Sequence, residues 1–73
     1  MPPMTRDEFL SRLADALGVA TPTGEEIEAL LAVAGEAAHA SERTAAPITT
    51  WMTARAGLTP DEALLTVRRV AAG

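Results

Sequence analysis

"AHASERTAAPITTW", Ala38 to Trp51, decides the fold of this chain, because it settles whether a long alanine-rich helical pattern runs on or turns. The residue before a proline is pushed out of the helical region, and proline itself suits the first turn of a new helix. Thr44-Ala45-Ala46-Pro47 therefore reads as the end of one helix and the start of another. The same stretch holds the only histidine, His39, the only tryptophan, Trp51, and Arg43 between them.

Upstream, Thr23-Gly24-Glu25-Glu26 has the capping-box arrangement, and Ile27, Leu30, Leu31, Ala34, Ala37 and Ala38 recur at helical spacing behind it. This predicts a helix over residues 24–43. Its second half carries alanines, and small side chains let a neighbouring helix approach closely. Further upstream, Thr5-Arg6-Asp7-Glu8 is another capping box, Met4 is placed to staple onto Phe9, and Phe9, Leu10, Leu13 and Leu17 lead to Gly18. A first helix is expected over 6–17, with residues 1–4 flexible. Downstream, Pro47 to Ala56 is expected to be helical and to close at Gly57. Thr59-Pro60-Asp61-Glu62 then starts a fourth helix over 60–72, which turns Leu64, Val67 and Val70 inward and ends with Arg68 and Arg69. The expected fold is all-α, a small four-helix bundle formed by residues 1–73 as a single domain.

Seventy-three residues leave a thin margin of stability, so the chain must pack economically or borrow stability from a partner. It has no cysteine, no basic apolar leader and no apolar run of the ~20 residues that a membrane span needs, so a cytoplasmic setting is expected. The net charge of −4 argues against nonspecific nucleic-acid binding. A helix-turn-helix reading of the last two helices meets Asp61 and Glu62 where a recognition helix would approach phosphates. An acyl carrier protein is also small, acidic and four-helical, but it needs an Asp-Ser-Leu motif, and neither Ser11 nor Ser41 is followed by leucine. A single histidine and no cysteine leave few ways to assemble a nucleophile, base and orienting group, so no enzyme, no metal and no cofactor is expected.

Function must then rest on residues 38–51. His39 and Arg43, four residues apart, share a helix face. The next helix start offers free amides to which the Thr49 and Thr50 hydroxyls add donors, so Pro47, Thr49 and Thr50 complete a corner able to hold a carboxylate or phosphate. The plainer alternative makes the corner scaffold, with Arg43 bonded to carbonyls at its own helix end, His39 packed, and Trp51 with Met52 in the core. A partly exposed Trp51 would instead anchor an interface.

"AHASERTAAPITTW" resembles the Ala-His-x-x-x-Arg-x-Ala-Ala-Pro signature of a small actinobacterial helical domain of unknown function. That domain occurs alone or as a C-terminal extension of molybdenum cofactor guanylyltransferase. "RDEFLSRLADALGV" is similar to its opening helix, so the resemblance covers Arg6 to Gly57, while the fourth helix departs from the pattern. The resemblance implies an accessory or protein-interaction role linked to molybdenum cofactor biosynthesis, with the guanylyltransferase or a molybdoenzyme as partner. A small-anion or nucleotide-phosphate binder is the alternative, and a self-associating homo-oligomer the third.

Overall fold

The computed structural model describes residues 3–73, and part of the stretch expected to be flexible, Met1 and Pro2, lies outside the described residues. Four helices follow in order: α1, Arg6–Leu17; α2, Gly24–Ala40; α3, Ala45–Arg55; α4, Pro60–Ala72. The described residues contain no strand, and the protein is a small all-α bundle.

Local chemistry explains most of the boundaries. The Thr23 N–H donates to Glu26 Oε1 at 2.8 Å and the Glu26 N–H to Thr23 Oγ1 at 3.1 Å, a reciprocal bond pair that starts α2. Thr59 and Glu62 repeat it at α4, at 2.8 and 3.2 Å, with Pro60 at the first helical position. At α1 only the Thr5 half forms, its hydroxyl oxygen accepting the Glu8 N–H. α1 and α3 both end on a left-handed glycine, Gly18 at φ 70° and Gly57 at φ 80°. In each case the next residue donates back into the helix, Val19 to the Ala14 carbonyl and Leu58 to the Thr53 carbonyl, which consumes carbonyls that a helix end leaves free.

The corner differs from expectation. α2 stops at Ala40 and not at Arg43, with Ser41 out of the helical region at φ −137°, ψ −99°. α3 starts at Ala45, so Pro47 is its third residue and not its first. The cause is the proline. In a continuous helix its ring would strike the Arg43 carbonyl and leave that carbonyl without a donor, so the break falls upstream of it. Any first-turn position tolerates proline, because the N–H it lacks has no helical partner there.

α2 is the central element, with α3 and α4 both packed on it and only lightly on each other. Its buried stripe is Ala29, Val33 and Ala37, and α4 adds Ala63. Val33 is the one large fully buried side chain among the described residues. The alanine-rich seam brings the neighbouring axes close, as its composition implies. An exposed ion pair between Arg68 and Glu36 at 3.4 Å also links α4 to α2, although such pairs contribute about 1 kcal/mol at most.

α1 stands apart, with every one of its Cα atoms more than 8 Å from those of the other helices. Phe9, Leu13 and Leu17, which recur at helical spacing, are exposed, and so is Val70 of α4, expected to turn inward. Leu64 and Val67 are half-buried.

The α4 cap also makes stability depend on pH. Hydrogen bonding from Thr59, its backbone N–H first and its side chain second, holds the Glu62 carboxyl below its ordinary 4.5. A carboxyl depressed in the folded state stabilises the fold fully above its unfolded pKa, and that contribution is lost as pH falls through the folded value. Glu62→Gln keeps a capping acceptor but cannot titrate. Wild type is therefore expected to lose more melting temperature than Glu62→Gln on acidification below pH 4.5, as followed by circular dichroism; equal losses would discount the cap.

Candidate functional site

The corner formed by the end of α2 and the start of α3 contains every residue that the sequence singles out. His39 and Arg43 are exposed, and neither side chain forms a hydrogen bond or ion pair among the described residues. His39 lies in the last turn of α2, whereas Arg43 lies beyond its end, so the shared helix face expected of them is not formed.

The amides at the corner are mostly engaged. Because α3 begins at Ala45, its first four residues are Ala45, Ala46, Pro47 and Ile48, and Thr49 and Thr50 sit past the turn that has free donors. The Ala45 N–H donates to the Glu42 carbonyl at 2.9 Å, the Ala46 N–H donates to the Arg43 carbonyl at 3.1 Å, and Pro47 has no N–H. The Thr50 hydroxyl donates to the Pro47 carbonyl at 2.8 Å. Thr49 is half-buried and faces a groove between the helices. The backbone bonds thus spend on the turn itself most of the donors that an anion would need.

Trp51 is the main departure from expectation. It is 60% exposed and not in the core, and Ile48 and Met52 beside it are equally open. The Arg55 guanidinium carbon lies 4.9 Å from the Trp51 ring centroid, a cation–π contact made by the next turn of the same helix. Ile48, Trp51, Met52 and Arg55 follow helical spacing and form one solvent-facing stripe, while α3 has no fully buried residue. Arg55 is absent from the residues that the sequence singles out, though its four-residue spacing from Trp51 is legible there. The stripe was hidden because the same spacing also describes a core face.

The second surface feature is the groove, about 440 Å³, lined by the ends of α2 and α4 and the inner side of α3. Ala37, Ala40, Ala45 and Ala71 are its small residues, Met52, Val67 and Val70 its larger apolar ones, and no charged side chain lines it. A smaller recess joins the acidic starts of α2 and α4, Glu25, Glu26 and Asp61. Among the described residues no group of three or more histidine, aspartate or glutamate side chains is placed to hold a metal ion. No helix of the described residues is long and apolar enough to cross a membrane.

Fold and surface thus define a class: a small all-α bundle with an alanine seam and its largest apolar side chains turned outward. The chain belongs to the family described as a domain of unknown function, DUF6457, which it matches over residues 1–73. That match includes α4, so the fourth helix is part of the family pattern and not a departure from it. No curated protein and no solved structure matches the chain significantly.

Proposed function

We propose that this chain is a non-catalytic, cytoplasmic accessory domain that binds another protein through the outer face of α3. The observation that carries the reading is Trp51, exposed beside Ile48 and Met52 with Arg55 stacked on its ring. Tryptophan, methionine and arginine are enriched at interfaces, and tryptophan and arginine dominate their binding energy, because each couples a large apolar surface to a polar or charged end. The stacking also pre-orders both side chains, which lowers the entropy lost on docking.

The partner class rests on the resemblance of residues 38–51 to the segment that accompanies molybdenum cofactor guanylyltransferase. The proposed partner is that enzyme or a molybdoenzyme downstream of it. The test is calorimetric titration of the chain with the guanylyltransferase of the same cell. Saturable binding is expected, weakened tenfold or more by Trp51→Ala, a loss of about 1.4 kcal/mol or above. The melting temperature should move little, since the ring is already mostly in solvent. No binding removes this partner, and binding indifferent to Trp51→Ala removes α3 as the docking face.

A further inference from the structure

The chain shows far more surface than its mass calls for. A folded monomer of 7.6 kDa exposes about 4,300 Å² by the usual scaling, yet this one exposes 5704 Å². Its radius of gyration is 13.4 Å, where about 11 Å is ordinary for this length. The surplus of about 1,400 Å² exceeds the roughly 800 Å² that each partner gives to a standard interface.

Two parts of that surplus are complementary. α1 stands off the other helices and presents Phe9, Leu13 and Leu17 to solvent. The groove between α2, α3 and α4 is mainly apolar and uncharged, and most of its lining is small, alanine together with serine and threonine. Large side chains on one helix seat against small ones on its neighbours, as ridges fill grooves in any helix pair. The lengths agree as well. Phe9 to Leu17 spans about 12 Å of helix, and so does the α3 wall from Ala45 to Thr53.

We propose that two copies of this chain pair by exchanging α1, each laying Phe9, Leu13 and Leu17 into the other's groove. A second copy is favoured as occupant because it brings the matching helix and because the exchange is reciprocal. Both grooves fill at once and the assembly closes about a two-fold axis. The chain's own α1 does not occupy the groove, whose lining comes from α2, α3 and α4 and the residues joining them. The exchange uses a different surface from the Trp51 stripe apart from Met52, which borders both.

Sedimentation equilibrium of the full chain tests it. Wild type is expected at twice the 7.6 kDa chain mass over a wide concentration range. Phe9→Glu and Val70→Glu, both at exposed positions, should each be monomeric with helical circular dichroism intact. Mixing these two variants should restore a heterodimer through the one undamaged seat. Since the chain has no cysteine, mixing Leu13→Cys with Met52→Cys under oxidising conditions should give an inter-chain disulfide. A wild-type monomer at all concentrations overturns the proposal, as does a dimer that survives Phe9→Glu or a mixture that forms no cross-link. A monomer whose Leu13→Cys/Met52→Cys double variant closes within one chain overturns it in favour of a folded-back α1. These variants leave Trp51 in place, and Trp51→Ala tests the outer face of α3 separately.

Discussion

Val33→Asp is expected to abolish the cooperative fold. Val33 is 0% exposed in the middle of α2, the helix on which both α3 and α4 pack. No polar or charged side chain is buried among the described residues, so a carboxylate at this point finds no partner. An unpaired buried charge costs several kcal/mol even after relaxation, and a domain of this size has about 3–5 kcal/mol to lose. The variant should lose its thermal transition in circular dichroism and most of its helical signal at 222 nm. Leu65→Asp is the control. Leu65 lies on the open side of α4, and the change should shift stability by no more than about 0.5 kcal/mol. A folded Val33→Asp protein with an ordinary transition would show that the α2 stripe is not the core.

Ala63→Leu is expected to cost about 3 kcal/mol, the upper part of the range for overpacked interiors. Ala63 is 2% exposed and is the buried residue of α4, whose main packing partner is α2. Facing a seam that is itself mostly alanine, three further carbon atoms can be admitted only by moving the α4 axis outward. That movement would also stretch the Arg68 contact to Glu36. Urea unfolding should show a lower midpoint with little change in slope. Ala16→Leu, on an open face of α1, should leave the midpoint nearly unchanged. If Ala63→Leu were neutral, the close approach of α4 to α2 would not be holding the fold.

These two expectations could not have been placed from the sequence. The apolar spacing of α2 singles out Ile27, Leu30, Leu31, Ala34, Ala37 and Ala38, yet of these only Ala37 joins the buried stripe, which is completed by Ala29 and Val33, and Leu31 faces solvent. Periodicity locates an apolar arc, but the chosen part of that arc depends on which neighbours arrive and how near. Here closeness favours the small side chains, so alanine forms the seam and the larger residues are left outside. The same principle displaces Trp51, whose spacing suits a core and whose size does not suit this one.

The helix boundaries at the corner differ from those expected for a related reason. A proline forbids a continuous helix, and that is legible, but it allows several places for the break. The position of the break decides which amides are free. Two residues' difference in the start of α3 moves Thr49 and Thr50 beyond the first turn and leaves Ala45 and Ala46 bonded to the preceding turn.

By itself the sequence determined the four helices, the span of α1 and of α4, and the glycine stops, because caps and turns are made by residues three to five positions apart. The tertiary structure alone decided that the α1 Cα atoms keep more than 8 Å from those of the other helices although Ala14 is buried, which alanines of α2 are buried, and that Trp51 and Phe9 face outward. Those outcomes depend on contacts between residues tens of positions apart, where side-chain volume and axis separation are settled together, and no local pattern carries that information.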